Sequence, residues 1–334
     1  MGRLRVGIIG LGVGEQHIEG YLNTGACDVV LCDCSAEKLD LARRKYPGMP
    51  VSRDAKELLA DPDIQVVSIA SYDDAHAGQA IEALAAGKHV FVEKPLCQTR
   101  DQLQAVKQAW ARHGGKVKLD SNLVLRAAPA YVWLKEKVAE GFFGWPFAFD
   151  GDYLYGRLHK ITHGWRKDVA NYSVMEGGGI HLLDLLLWIS GERPARLTAV
   201  GNRICSRGTA FRYDDFVAVT MQCPSGLVAR ITANFGCVHR HQHVVRLFGT
   251  EATFLHDDAG PRFYQTRDPA VGPTPLLLPA LPSSKGALIG PFVEAILTDR
   301  DMSAQTQLHF DVLSLCLACE EALRTGLPQE VCYV

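Results

Sequence analysis

No apolar run in the 334 residues is long enough to cross a membrane as a helix; the richest, Leu182 to Ile189, is interrupted by Asp184. A secretory leader is not expected either. The basic start Met1-Gly2-Arg3-Leu4-Arg5 leads into an apolar run, but Gly10, Gly12 and Gly14 break it and Glu15 ends it without a small-residue cleavage pattern. The expected location is the cytoplasm. An excess of charge is absent as well, with 35 Lys and Arg against 37 Asp and Glu. Nothing electrostatic therefore calls for nucleic acid or an anionic membrane, and a small molecule is the expected partner. Ten cysteines are present without the rhythm of a disulfide framework, as suits reduced thiols. Cys316 and Cys319 form a lone CxxC inside the helical pattern "LSLCLACEEAL", and no second ligand pair of zinc spacing lies nearby. His239, His241 and His243 alternate along a strand-like stretch, which would put three imidazoles on one face. Solvent-facing polar residues account for that pattern as well as a metal does, so no metal is assigned. Internal repeats are lacking.

A chain of this length is comfortable for two domains. From Arg3 to about Asn122, short apolar runs alternate with helical ones: "RVGIIG", "GEQHIEGYLNT", "DVVLCD", "SAEKLDLARRKY", "VVSIAS", "HAGQAIEALAAG", "HVFVEK" and "RDQLQAVKQAWARHG". Successive βαβ units of this kind predict a doubly wound parallel sheet. After helices around Pro129 to Glu140 and His181 to Ile189, the runs "LTAVGNRICS", "DDFVAVTMQC", "GLVARITANFG" and "HVVRLFGTEATFLHD" alternate apolar and polar residues. They predict a large, mostly antiparallel sheet with one covered face, in an α+β domain. The stretch from Pro261 to Pro282 is expected as loop, with helices near Pro291 to Leu297 and Gln307 to Thr325 closing the chain. The fold class is α/β, with residues 1–122 as an N-terminal Rossmann domain and 123–334 as a substrate-binding and oligomerisation domain.

"VGIIGLGVGEQH" puts Gly10 and Gly12 directly after the first strand. Gly10 allows the tight turn, and Gly12 lets a pyrophosphate approach the backbone at a helix N-terminus. The third glycine of the dinucleotide fingerprint is displaced: Glu15 holds its place, and Gly14 follows Val13 one residue early. The second strand ends in Asp33, about twenty residues on, where an acid accepts from ribose hydroxyls and repels a 2′-phosphate. A turn residue before a helix is the other reading of Asp33. Cys34 and Ser35 follow, with no arginine to take a phosphate, so NAD is expected rather than NADP. "AGKHVFVEKPLCQT" ends a buried strand in Glu93-Lys94-Pro95. Either the strand emerges into water there, or the charges stand at the ligand-binding edge of the sheet.

"GLGVGEQH", "CDCSAEKLDLA", "SIASYDDAHAGQAIEALAAGKHVFVEKPL", "EGGGIHLLDLLLW" and the closing "ACEEALRTGLPQEV" stand in the order and spacing of the glucose-fructose oxidoreductase, inositol dehydrogenase and MocA family. The chain resembles that family over nearly its whole length. The resemblance implies NAD(P)-dependent oxidation of a sugar or cyclitol hydroxyl, with a homodimer or homotetramer built on the open sheet. It implies that Glu93 contacts the nicotinamide ribose, that Lys94 reaches the reacting hydroxyl, and that Pro95 turns the backbone, often through a cis peptide. Val13, Gly14, Ser71 and His76 fall at cofactor-contacting positions, although Ser71-Tyr72-Asp73 departs from the usual Thr-Pro-Asn. Arg126 matches an arginine after the last Rossmann strand. Relatives carry an aspartate four residues before the histidine of "GGGIH"; here that position is Gly177, with Glu176 one earlier.

His181 and Asp184, three apart on a predicted helix, share a face. A helix N-terminus keeps His181 neutral and able to accept a proton, while Asp184 orients the ring. His181 is the expected general base and Lys94 the cation favouring an alkoxide, with Asp184 completing the catalytic set. "GDYLYGRLHKITHGWRKD" offers Tyr153, Tyr155, Arg157, Trp165 and Arg166 for a sugar's apolar faces and hydroxyls, or for a phosphate or carboxylate. An ordinary strand with cross-strand aromatics is the other reading of that stretch. The expected reaction is oxidation of a secondary hydroxyl of a sugar, sugar acid, cyclitol or nucleotide sugar to a ketone. Two alternatives share the fold: an NAD-binding sensor or co-repressor without turnover, and a redox-neutral NAD-dependent glycosidase.

Overall fold

The computed structural model describes residues 2–279 and 284–334. Two compact units emerge, one of Met1–Ala127, Pro282–Phe310 and Val334, the other of Ala128–Leu281 and Asp311–Tyr333. This differs from a single cut after residue 122, because the chain returns to its first unit near its end.

The first unit contains β1 (Leu4–Ile9), α1 (Glu15–Leu22), β2 (Cys27–Cys32), α2 (Ala36–Lys45), β3 (Val51–Ser52), α3 (Ala55–Ala60), β4 (Val66–Ile69), α4 (His76–Ala85), β5 (His89–Val92), α5 (Arg100–Ala111) and β6 (Leu119–Ser121). The strands form one sheet in the order β3-β2-β1-β4-β5-β6, every neighbouring pair parallel. That is the Rossmann order, reversing between β1 and β4, the switch point where such sheets take their ligand. Helices start where side chains cap them: Ser35 Oγ accepts from Lys38 N–H ahead of α2, and Thr99 Oγ1 from Gln102 N–H ahead of α5. The returning segment fills this unit's core, with Ile289, Phe292 and Val293 buried in one cluster with Ile18, Tyr21 and Phe91. A sequence cut cannot see this, since a helix's apolar stripe does not say which sheet it covers.

The second unit begins with α6 (Pro129–Ala139) and β7 (Pro146–Leu154), continues through α7 (His159–Thr162) and α8 (Ile180–Ser190), and then builds its sheet. The further strands are β8 (Arg196–Asn202), β9 (Phe216–Gln222), β10 (Val228–Asn234), β11 (Gln242–Gly249), β12 (Thr253–Asp257), β13 (Gly260–Tyr264) and β14 (Thr274–Pro275). After α9 (Ile289–Leu297) and α10 (Ser303–Thr325), β15 (Gln329–Glu330) closes the far edge. The nine strands run β14-β13-β12-β11-β7-β10-β9-β8-β15, antiparallel except for β7 with β10. The expected loop from Pro261 to Pro282 is thus partly strand. At a sheet edge prolines are tolerated because the missing N–H costs no central ladder bond. Residues 280–282 of that stretch lie outside the described residues. Cys316 and Cys319 are both buried in α10, and all ten cysteines are free thiols. Among the described residues no helix is long and apolar enough to cross a membrane.

Candidate functional site

In the first unit the residues singled out from sequence gather at the carboxyl ends of β1, β2, β4 and β5. Gly10 sits at φ +91°, and a Cβ there would collide with the carbonyl of Ala70, so only glycine fits this turn. Gly14 has equally little room: a Cβ would collide with the Gly10 carbonyl. It therefore performs the close-packing job of the displaced third glycine. Beside Gly12 the nearest atom a Cβ would meet is Lys38 Nζ, at 3.8 Å, and Val13 is 41% exposed, so the loop faces open space.

Asp33 is nearly buried at the end of β2. Its Oδ2 accepts from Leu11 N–H at 2.8 Å and its Oδ1 from Ser35 N–H at 2.8 Å, while Lys38 Nζ donates to Oδ2 at 3.3 Å. Burial pushes the pKa up, but the two backbone N–H bonds and the Lys38 charge more than offset it, leaving the pKa below the ordinary carboxylate value. The group is an anion with acceptor capacity left for a diol. An open glycine loop, a helix start and a fixed anion at the switch point fit an adenine dinucleotide. Sequence reasoning missed Lys38, one turn into α2, where its spacing on an exposed helix face gave no sign.

Glu93 answers the question posed by the charged strand end. Its Oε1 accepts from Asn122 Nδ2 at 2.6 Å and lies 3.2 Å from His17 Nε2, while His17 Nδ1 lies 3.0 Å from Ser68 Oγ. A ring protonated at Nε2 donates to Glu93 and accepts the Ser68 hydroxyl. Burial raises the Glu93 pKa, and the His17 bond, with the charges of Lys285 and Lys94, overrides it and brings the value down to about 2. The strand does not simply run out into water; it ends in a locked carboxylate followed by a cis Lys94–Pro95 bond. His17 and Asn122 escaped sequence reasoning. The available signal was a histidine on the buried face of α1, beside Ile18 and one turn before Tyr21.

His76 Nδ1 donates to the Pro95 carbonyl at 2.7 Å, and its Nε2 lies 3.2 Å from the Ser71 carbonyl. Through its Nδ1 bond, His76 ties the loop after β4 to the turn after Lys94. Ser71 Oγ donates to Gln79 Oε1 at 2.8 Å. Arg126 is buried in a short helical turn, Val124–Ala127.

In the second unit His181 and Asp184 lie in α8 with 4% and 0% of their surfaces exposed. The expected free helix N-terminus at His181 is not there. A π turn, Met175–Gly179, continues α8 backward, and Ser173 Oγ caps it by accepting from Met175 N–H at 3.0 Å and Glu176 N–H at 3.2 Å. The helix start lies two turns away from His181, and the macrodipole fades within one. The three glycines serve packing: side chains at Gly177 and Gly178 would collide with the Tyr172 hydroxyl and the Tyr153 ring.

Tyr153 stacks on Tyr155 at 6.0 Å and faces His181 at 6.4 Å between centroids. His243 stands edge-on to His181 at 5.8 Å, and His241 lies 4.9 Å from His243. His239 does not join them. It precedes β11, is paired with Asp258 at 3.1 Å, and so breaks the expected three-histidine face. No metal-holding cluster occurs among the described residues. Arg166 Nε donates to the Tyr172 hydroxyl at 2.9 Å, with its guanidinium 4.6 Å over Trp165. Arg157 is exposed, 5.6 Å over Tyr155.

Ser173 also donates to Glu320 Oε1. Burial lifts the Glu320 pKa, the serine bond offsets part of this, and nearby Asp214 adds to it, giving about 7. An acid whose folded pKa is raised loses stability as pH climbs from its unfolded value, near 4.3, through the folded one. We expect Glu320→Gln to raise the melting temperature at pH 8 and leave it unchanged near pH 4. Calorimetry at both values checks this, and a gain of equal size at both would refute it.

Two family models match the chain: an oxidoreductase family with NAD-binding Rossmann fold over residues 4–121, and the GFO/IDH/MocA C-terminal domain over residues 131–255. Inositol 2-dehydrogenase of Salmonella typhimurium is 30% identical over 230 residues, 67% of this chain and 65% of the relative. The chain thus aligns with just under two thirds of that enzyme's length. Levoglucosan dehydrogenase of Pseudarthrobacter phenanthrenivorans is 27% identical over 308 residues, 80% of this chain and 75% of the relative. Among solved structures, a levoglucosan dehydrogenase with NADH superposes with a TM-score of 0.85 at 22% identity, covering 99% of this chain and 100% of that one. Scyllo-inositol dehydrogenase from Lactobacillus casei with bound NAD(H) and scyllo-inositol gives 0.82 at 20% identity, covering 98% and 99%. With both halves matched in order, and a parallel Rossmann sheet followed by a large mostly antiparallel one, the chain belongs to the Gfo/Idh/MocA oxidoreductase family.

Proposed function

We propose that this protein is an NAD-dependent dehydrogenase that oxidises a secondary hydroxyl of a sugar, sugar acid or cyclitol to the ketone. The observation that carries the reading is the end of β5. There Glu93, held ionised by His17 and Asn122, fixes the backbone from which Lys94 extends at the ligand-binding edge of a parallel sheet. The relatives' names, inositol 2-dehydrogenase and levoglucosan dehydrogenase, support the substrate class.

NAD, when bound, supplies the hydride acceptor. The chain's own groups must take the hydroxyl proton and favour negative charge on the carbinol oxygen. We assign the proton to His181 and the stabilising cation to Lys94, with Asp184 supporting the imidazole from its own helix. Tyr153 and Tyr155 suit the apolar faces of a polyol ring. Arg166, oriented by Tyr172 and Trp165, and Arg157, over Tyr155, are the cations this stretch offers to an acidic sugar. NADH formation on a panel of cyclitols, anhydrosugars, aldoses and sugar acids tests the reading. We expect turnover with one class; a panel silent throughout, with NAD still bound, overturns it in favour of a sensor.

The choice of NAD over NADP rests on the charge of Asp33, with Lys38 as a partial counterweight. Unit charges about 4 Å apart at a protein surface interact by roughly 4 kcal/mol. Removing the anion and keeping the ammonium therefore inverts the local field. We expect Asp33→Ser to weaken NAD binding at least about 10-fold and strengthen NADP binding by about as much, each tenfold step being about 1.4 kcal/mol. Titration calorimetry with both nucleotides checks this, and an unchanged preference would assign discrimination elsewhere.

A further inference from the structure

Oxidising a hydroxyl releases one proton per turnover. The hydride leaves for the nicotinamide, the hydroxyl proton passes to a base, and the base must be cleared before the next cycle. His181, the base assigned above, is 4% exposed. Its own contact with water is small, so its proton needs a way out through neighbouring groups.

Two further imidazoles stand in line between His181 and the surface. The ring of His243 is half-buried, and its centroid lies 5.8 Å from that of His181 with the planes at 88°. His241 is exposed and lies 4.9 Å from His243. The order of the three rings is therefore an order of rising exposure. The fold fixes it. His243 pairs directly with Tyr153 in the antiparallel register of β11 with β7, so the two side chains stand on one face of the sheet. That face is the covered one, where Tyr153 is buried and faces His181 of α8. His241 joins the same face, 5.3 Å from Tyr153 and 5.6 Å from Tyr155. The Tyr131 hydroxyl donates to the His243 carbonyl at 3.0 Å and holds the start of β11 in place.

Packing alone does not call for imidazoles here. Phe235 lies 5.6 Å from Tyr153 and 4.5 Å from Tyr155, so an apolar ring meets the same two tyrosines equally well. Histidine is the side chain that both takes up and gives up a proton near neutral pH, which makes it the usual proton shuttle. Ring spacings of this size suit nitrogens that meet directly or through one bridging water.

We propose that His243 and His241 form a proton path from His181 to solvent. His181 takes the hydroxyl proton and passes one to His243, His243 passes one to His241, and His241 gives one to water. Each ring gains one proton and loses one, so all three end the cycle neutral, while the electron pair leaves separately as the hydride to NAD. In ketone reduction the path runs inward. Both residues act through His181, as positioning residues that keep a proton acceptor beside the base. The inference rests on the dehydrogenase reading and adds how its base is cleared. The other titratable or charged groups around the path are Asp184 on α8, Tyr153, Tyr155, and Arg157 over Tyr155. His239 and Arg240, just before His241, are both paired with Asp258.

The test is single-turnover kinetics on the full-length enzyme with NAD and the substrate class found by the panel, in weak buffer containing phenol red. Nicotinamide absorbance follows NADH, and the dye follows the released proton. In wild type the two should rise together. His243→Phe keeps a ring against Tyr153 and removes both nitrogens, and its proton release should lag NADH formation by about 10-fold or more in rate. Its steady-state kcat in weak buffer should fall by about as much with KM changed less than about 3-fold, and added imidazole should restore it as a diffusible base. His241→Phe, at the exposed end where little packing is lost, should show the same lag, and it decides if His243→Phe does not fold by thermal melting. Proton release in step with NADH in the folded variants, under conditions where wild type turns over, overturns the path alone. So does a kcat loss that imidazole leaves unrepaired, the mark of a merely structural role. A wild type that forms no NADH on any substrate overturns the dehydrogenase reading and, with it, the path.

Discussion

Lys94→Met is expected to lower kcat by about 10²- to 10³-fold, the range for losing one preorganised donor to a developing oxyanion. NAD affinity should stay within a few-fold of wild type, because the anchors at Gly10, Gly12 and Asp33 belong to other strand ends. Methionine keeps the stem and removes the charge, so the packing around the half-buried side chain is retained. In the proposed mechanism the ammonium favours the alkoxide in the forward direction and polarises the ketone in reverse, so ketone reduction should fall by the same factor. Initial rates in both directions, with cofactor binding measured separately, check this. Loss of NAD binding in proportion to the loss of rate would make Lys94 a cofactor residue and not a catalytic one.

The second large effect is expected at His181. Replacing it with Asn, similar in size and able to hydrogen-bond but unable to take a proton, should cost about 10²- to 10⁴-fold in kcat. A neutral imidazole is the form that accepts the hydroxyl proton, so wild-type kcat/KM must fall as pH drops through the histidine's own titration. In the variant that acid limb should vanish and leave a lower, flatter profile. A variant with the wild-type limb intact would move the proton to another group, with Lys94 the first to examine. Because His181 is buried against Tyr153 and His243, thermal melting must accompany the kinetics to separate a lost base from a loosened helix.

The Glu93 result shows how much a strand end can hide. From sequence, an acid, a base and a proline after Val92 were equally an exit into solvent or an edge facing a ligand. The structure rules out the exit into solvent, because Glu93 is buried against two partners, His17 from α1 and Asn122 from the residue after β6, which lie 76 and 29 positions away. No local pattern links three residues so placed. The same holds for Lys38 beside Asp33, since one exposed lysine on an amphipathic helix resembles any other until the strand end beneath it is fixed. For His181 the residue was legible in the sequence but its surroundings were not: a helix N-terminus was expected there, whereas Gly177 and Gly178 continue the helix backward and pack against Tyr172 and Tyr153.

The sequence by itself determined the alternation of β1 through β6, the glycine turn after β1, the acid ending β2 and the helix bearing His181 and Asp184. Each depends on periodicity, turn chemistry or spacing within about twenty residues, and local sterics and binary patterning are sufficient there. Only the tertiary structure decided that α9 covers the first sheet, that Gly260–Tyr264 adds a strand next to the sheet's edge, and that His76 Nδ1 binds the Pro95 carbonyl. Those outcomes depend on which distant side chain fills the space: a ring beside a glycine, or a carbonyl opposite an imidazole. Such contacts leave no periodic trace along the chain.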